Sequence, residues 1–201
     1  MSAKVVLASR NAHKVAELAR ILAQAGLDLQ LVGIEEFPDV PEVAETGATF
    51  AANALLKASA VCAATGLPAI ADDSGLAVDA LNGMPGILSA RWAGRHGDDA
   101  ANLRLLLGQL AQLPAGRRTA AFHCAAALVL PDGTQRVVEG ILEGYLIDEP
   151  RGSNGFGYDP IFVPAGLAST TAELSPEEKD AISHRGRALA ALVPVLRELL
   201  A

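Results

Sequence analysis

The sequence predicts an α/β fold on a mixed sheet, and the order of its patterns carries that expectation. Short apolar runs and helical stripes alternate through the first half of the chain. Two long strand candidates then flank Pro131-Asp132-Gly133, and an amphipathic helix closes the sequence. Alternation calls for parallel strands joined by helices, whereas a hairpin is antiparallel, so one sheet must hold both kinds of pairing.

The elements follow in order. Lys4 to Ala8 is a β-branched apolar run, broken by Ser9-Arg10-Asn11. Val15, Leu18, Ala19 and Leu22 repeat at helical spacing until Gly26. Leu27, Leu29 and Leu31 alternate with polar residues as a half-buried strand does. An acidic loop, Glu35 to Glu45, leads into an alanine-rich helix over Ala48 to Ala64. Pro68 to Ala71 reads as a third strand that ends abruptly at Asp72-Asp73-Ser74-Gly75. A loop around Gly83 to Gly86 precedes a helix marked by Leu103, Leu106, Leu107, Leu110 and Leu113. Thr119 to Leu130 and Thr134 to Ile147 are the hairpin strands, and Arg151 to Gly157 is a glycine-rich loop. Ser175-Pro176-Glu177-Glu178 supplies a serine cap, a proline at the first helical position and a glutamate at the third. Leu189, Leu192, Val193, Leu196, Leu199 and Leu200 stripe the last helix, with a kink expected at Pro194.

With 201 residues and no repeat or linker, residues 1–201 are expected to form a single domain with a substantial core. Hydrophobic residues at 51% and charged residues at 19% exclude a disordered chain. Met1-Ser2-Ala3-Lys4 lacks the layout of a signal peptide, and charges or turns interrupt every apolar run before it could span a membrane. Cys62 and Cys124 each sit in apolar segments and read as buried thiols, which suits the cytoplasm. A net charge of −7 argues against a large nucleic-acid-binding surface. A polyphosphate remains a compatible ligand if cations, or a metal, gather at one place.

Several segments could do that. Ser9, Asn11 and Lys14 stand at a helix N-terminus, where free N–H groups favour an anion. Taken alone, Asn11 would be an ordinary cap and Lys14 a solvated lysine. The glycines of a Walker loop are missing. Asn53 and Lys57 share a helix face, with Glu45 just before it, and in isolation read as a polar stripe facing water. Asp72 and Asp73 follow Ala69-Ile70-Ala71, at the strand end where open α/β sheets bind ligands. Adjacent carboxylates repel unless a cation lies between them, and Mg²⁺ prefers such hard oxygens. The chain has one Trp, two Tyr and five Phe, and Gly155-Phe156-Gly157-Tyr158-Asp159-Pro160 spends two of these aromatics in one loop, an arrangement suited to stacking a base. Lys179, His184, Arg185 and Arg187 add cations beyond it. Together these are the parts of a metal-assisted nucleotide hydrolase.

Five segments, in order along the chain, resemble the inosine/xanthosine triphosphate pyrophosphatase family. They are Ser9-Arg10-Asn11-Ala12-His13-Lys14, Ala71-Asp72-Asp73-Ser74-Gly75-Leu76, Ser89-Ala90-Arg91-Trp92, Phe156-Gly157-Tyr158-Asp159-Pro160 and Ser183-His184-Arg185-Gly186. The resemblance implies an elongated mixed central sheet flanked by helices with a central active-site cleft, as in ITPase/Maf-like proteins, and a homodimer. It implies cleavage of ITP, dITP and XTP to monophosphate and pyrophosphate with Mg²⁺, and neither nucleic acid nor membrane as partner. It also implies roles. Ser9, Arg10, Asn11, Ala12, His13 and Lys14, with Lys57, would hold the triphosphate. Asp73 would be catalytic and, with Asp72 and Glu45, would ligate the metal. Ser74 would touch substrate. Phe156, Gly157, Tyr158 and Asp159 would form the base pocket, completed by Lys179, His184 and Arg185. The chain departs from the family pattern at Ala44, where many relatives are acidic, and at Arg10 and His13, where small residues are common.

The chemistry follows from charge. Hydrolysis at the α-phosphorus builds negative charge on the leaving pyrophosphate, which Mg²⁺, Lys14, Lys57 and Lys179 would offset. Asp73 would orient and partly deprotonate the attacking water. Hypoxanthine and xanthine present an oxygen at C6 where adenine presents an amino group, so Arg185 suits the former and would be left unpaired by the latter. Three other readings remain open at this point. A Maf-type pyrophosphatase would act on other modified or pyrimidine nucleotides. A phosphotransferase working through an aspartyl phosphate would use Asp72 or Asp73, although the spaced Asp-x-Asp of that pattern is missing. A nucleotide sensor would bind without turnover.

Overall fold

The computed structural model describes residues 3–200, apart from the side chain of His13; the reading at Met1 and Ser2 lies outside them. The chain runs β1 (Ala3–Leu7), α1 (Ala12–Gln24), β2 (Leu29–Gly33), α2 (Phe50–Thr65), β3 (Ala69–Val78), β4 (Met84–Pro85), α3 (Asp99–Leu110), β5 (Thr119–Val129), β6 (Gln135–Leu146), β7 (Phe162–Pro164), α4 (Pro176–Ile182) and α5 (His184–Leu200). The strands form a mixed sheet in the order β2-β1-β3-β5-β6-β7, with β4 on β3. Strand β1 is parallel to β2 and β3, while β4 is antiparallel to β3 and β7 to β6. The expected combination of parallel and antiparallel pairing is therefore present.

Contacts divide the chain into two compact units, each discontinuous in sequence. The first comprises the residues up to Asp73, Cys124–Gly140 and those from Arg187 onward; the second comprises Ser74–His123 and Ile141–Gly186. In the first unit the sheet is buried on both faces, and strand alternation sorts its side chains. Val5, Leu7, Ile70, Cys124, Ala126 and Leu128 pack with Leu18 and Leu22 of α1 and with Ala188, Leu189, Leu192 and Leu196 of α5. Val6, Ala69, Ala71, Ala125, Ala127 and Val129 take the opposite face, against Ala54, Ala58, Val61 and Cys62 of α2. In the second unit, Leu76, Val78, Leu142, Leu146 and Phe162 pack with Leu106 and Leu110 of α3 and with Tyr158.

Two expectations change. The third strand does not stop at Asp72; β3 continues through Asp72-Asp73-Ser74-Gly75 to Val78. Polar side chains imitate a turn there, but lysines and an asparagine supply the partners that solvent would otherwise provide. The second strand also begins later than the alternation suggested, at Leu29, because Leu27 drops into the core where the chain leaves α1.

The serine cap at Ser175 forms a full capping box with Glu178. Helix α4 then breaks at Ser183, whose hydroxyl accepts from the Gly186 N–H at 2.9 Å and so starts α5. Helix α5 continues through Pro194 to Leu200. Cys62 and Cys124 are free and buried. Among the described residues no helix is long and apolar enough to cross a membrane.

Candidate active site

Because β3 is extended at Asp72 and Asp73, their side chains leave opposite faces of the strand. Asp72 shares the side of Ile70, where α1 packs, and its Oδ2 accepts from Lys14 Nζ at 2.7 Å. Asp73 shares the side of Ala69 and Ala71, where α2 packs, and meets two residues of that helix. Lys57 Nζ lies 3.0 Å from Asp73 Oδ1, and Asn53 Nδ2 lies 3.1 Å from Asp73 Oδ2. Lys57 also donates to Glu45 Oε1 at 2.9 Å, so one ammonium bridges the two carboxylates.

Asn53 is fully buried, and its amide can point only one way. Its Oδ1 accepts from the backbone N–H of Gly47 at 2.8 Å, so its Nδ2 must serve Asp73. A Cβ on Gly47 would come within 2.7 Å of that Oδ1, which accounts for glycine at this position. Burial pushes the Asp73 carboxyl above the ordinary aspartate range. The Lys57 charge opposes that, the Glu45 charge adds to it, and hydrogen bonds from Lys57 and Asn53 oppose it. Burial disfavours the Lys57 ammonium, but the charges of Asp73 and Glu45 and hydrogen bonds to both prevail, so its pKa is raised.

The loop before α1 is fixed by its own polar groups. Ser9 Oγ accepts from the Asn11 N–H at 3.2 Å, and the Asn11 carbonyl accepts from Lys14 and Val15. Ala12 opens the helix, no acidic residue occupies its first turn, and Lys14 places a full positive charge there. Arg10 turns to the Val40 carbonyl at 3.3 Å, a contact that occupies one of its terminal nitrogens.

The second unit carries a different set. Phe156 is 77% exposed and stands between Gly155 and Gly157, both at positive φ. Asp159 is buried and ties the loop together: Oδ2 accepts from the Phe156 N–H at 2.8 Å and from Lys179 Nζ at 2.5 Å, and Oδ1 accepts from Thr171 Oγ1 at 2.8 Å. Lys179 Nζ also lies 5.0 Å from the centroid of the Phe156 ring. Any Cβ on Gly155 would collide with Asp159 Oδ2, so glycine is required for this approach. The His184 ring stacks on Phe122 with centroids 5.0 Å apart and 14° between planes. Arg185 follows at the start of α5 and is half-buried, and Ser74 is a half-buried member of β3.

Tyr158 departs from the base-stacking expectation. Its ring belongs to the core of the second unit, its hydroxyl donates to the Ser89 carbonyl at 2.9 Å, and burial first, then the charge of Asp99, raise its pKa. Ser89 is itself a strut, donating to the Gly86 carbonyl and accepting from the Leu76 N–H. Lys179 is engaged by Asp159 and Phe156, which fits the base loop better than the leaving pyrophosphate. Among the described residues no three acidic, His or Cys side chains gather at metal-ligating spacing. Glu45 and Asp73 come together, whereas strand alternation sends Asp72 to Lys14. Sequence reasoning saw Asn53 only as part of a polar stripe, and it gave no role to Thr171. The usable signal for Asn53 was an amide inside an alanine-rich helix one turn before Lys57; Thr171 had none.

A family model described as the Ham1 family matches residues 5–195. The dITP/XTP pyrophosphatase of Streptomyces avermitilis is 64% identical over 197 residues, covering 98% of this chain and 98% of that protein. The crystal structure of the nucleoside-triphosphatase / dITP/XTP pyrophosphatase from Mycobacterium abscessus is 60% identical, with a TM-score of 0.84 over 96% of this chain and 100% of that one. The structure of a HAM1 protein from Coxiella burnetii is 45% identical, with a TM-score of 0.91 over 98% and 99% of the two chains.

Proposed function

The chain belongs to the Ham1 family, and we propose that it is a Mg²⁺-dependent pyrophosphatase that hydrolyses ITP, dITP and XTP to the monophosphate and pyrophosphate. The observation that carries this reading is the convergence of Glu45 and Asp73 on one ammonium, with Asn53 holding the far oxygen of Asp73. The names of the Streptomyces avermitilis and Mycobacterium abscessus proteins support the substrate class.

The donor set suits the metal. Glu45 and Asp73 turn carboxylate oxygens to the same ammonium, 2.9 and 3.0 Å from Lys57 Nζ, and Mg²⁺ is ordinarily held by one or two protein carboxylates plus phosphate and water oxygens. Glu45 and Asp73 would hold it, and Asp72, on the other face, would orient Lys14. Bound there, Mg²⁺ would neutralise polyphosphate charge and favour ionisation of water. Lys14 and the N–H groups opening α1 bind phosphate oxygens, and Lys57 supplies a second cation. Asp73 would orient and partly deprotonate the attacking water, while Asn53 holds Oδ2 and keeps the carboxylate aimed. In the second unit, Phe156 offers a face to the purine, and Arg185 and His184 read its edge. We place the enzyme in the cytoplasm, where buried free thiols such as Cys62 and Cys124 persist, and as a homodimer.

A panel of ITP, XTP, dITP, GTP, ATP and pyrimidine triphosphates with Mg²⁺, scored for pyrophosphate and orthophosphate, tests the proposal. Pyrophosphate release from ITP, dITP and XTP well above that from GTP, ATP and the pyrimidines supports it. Orthophosphate as the product, or preference for pyrimidines, contradicts it.

A further inference from the structure

We propose that Asp99 is a positioning residue that fixes how Phe156 is presented to the purine, an inference resting on the reading of Phe156 as the base-stacking residue. The direction of a side chain follows from the two peptide planes that flank its Cα, since only φ and ψ are soft. At Phe156 both planes are pinned by carboxylates. The first carries the Phe156 N–H, which donates to Asp159 Oδ2 at 2.8 Å. The second carries the Gly157 N–H, which donates to Asp99 Oδ2 at 2.9 Å.

The two anchors differ in kind. Asp159 is three residues along the same loop, is itself held by Thr171 and Lys179, and returns its own N–H to the Phe156 carbonyl at 3.2 Å, so it fixes the first plane from within the loop. Asp99 comes from α3, a helix rooted in the core of the second unit through Leu106 and Leu110. Asp99 is also not the cap of its helix. Asp98 does that, accepting from the Ala101 N–H at 3.1 Å, which leaves the Asp99 carboxylate for the loop. Glycines at 155 and 157 give this segment wide backbone freedom, and the Phe156 ring is too exposed to be held by packing. Asp99 supplies the second tie, from α3 to the second plane, and with both planes held the direction of the ring is set.

The test compares kcat and KM for ITP with Mg²⁺ in Asp99→Ala, Asp99→Asn, Phe156→Ala and the Asp99→Ala/Phe156→Ala double variant. Melting curves and hydrogen exchange of peptides covering 153–159 and 101–110 accompany the kinetics. Asp99→Ala is expected to raise KM roughly tenfold, the loss of one hydrogen bond to a charged acceptor, with kcat within about twofold. Exchange should speed up in 153–159 and stay unchanged in 101–110. Asp99→Asn keeps an oxygen able to accept and should restore most of the wild-type KM. In the Phe156→Ala background, removing Asp99 should add less than about twofold, because the group it positions is gone. Asp99→Ala with normal KM beside an impaired Phe156→Ala overturns the inference alone, as do multiplicative losses in the double variant or an Asp99→Asn as impaired as Asp99→Ala. A normal KM in Phe156→Ala overturns the stacking reading and the inference with it.

Discussion

Asp73 in the first unit and Phe156 in the second differ in almost every physical respect. Asp73 is buried on a strand, and each of its oxygens is engaged by α2. Phe156 stands in solvent between two glycines, and its position is set by hydrogen bonds to its backbone neighbours. The first arrangement resists motion because moving the carboxylate would strand the buried Asn53 amide and break the bridge that the half-buried Lys57 makes to Glu45. The second can adapt, since only a few hydrogen bonds hold it. In the proposed roles the first suits a reacting group, which needs fixed geometry, and the second a stacking group, whose aim a few hydrogen bonds set. The two units are built accordingly.

Substitutions can break or sharpen this contrast. Asp73→Asn keeps the shape and removes the charge, so kcat for ITP should fall by about 10²–10⁴-fold with the fold intact by circular dichroism. Near-normal turnover would remove Asp73 from the chemistry. Arg185→Ala should lower kcat/KM for ITP and XTP by roughly 10–100-fold while leaving ATP nearly unchanged. Equal losses on all three nucleotides would make Arg185 a phosphate ligand instead. Asn53→Ala should lower kcat by about tenfold at unchanged KM. Its amide stabilises the ionised carboxylate, so its loss raises the Asp73 pKa further, and the acid limb of kcat against pH moves to higher pH. A limb that stays in place, or moves down, would disconnect Asn53 from Asp73. The smallest effect belongs to the neighbour of Phe156. Tyr158→Phe loses one hydrogen bond to the Ser89 carbonyl, about 1 kcal/mol of stability, and should leave KM unchanged. A raised KM would mean that the ring belongs to the base pocket after all.

Much of this was legible in the sequence because periodicity reports burial. The strands β1 and β5, the apolar stripes of α1 and α5 and the cap at Ser175 all follow from local pattern. The candidate site was legible as residue types, through five short motifs and an inventory of carboxylates, cations and loop aromatics. Its geometry was not. Asp72-Asp73-Ser74-Gly75 has the composition of a turn, and only the long-range partners Lys14, Lys57 and Asn53 keep it extended. Read as strand, those residues put the two carboxylates on opposite faces by alternation alone. Tyr158 and Phe156 lie two residues apart in one glycine-rich segment, and nothing local says that one turns inward to Ser89 and the other outward. Loop conformation depends on hydrogen bonds from distant segments, such as Asp99 and Thr171, which leave no periodic trace.

The proposed reaction turns on the site of attack, and isotopic labelling reads it directly. Hydrolysis of ITP in ¹⁸O-enriched water with Mg²⁺, followed by mass spectrometry of both products, locates the new P–O bond. The account predicts one labelled oxygen in the monophosphate and none in the pyrophosphate. Label in the pyrophosphate, or in orthophosphate released beside the diphosphate, would contradict attack of water on the α-phosphorus.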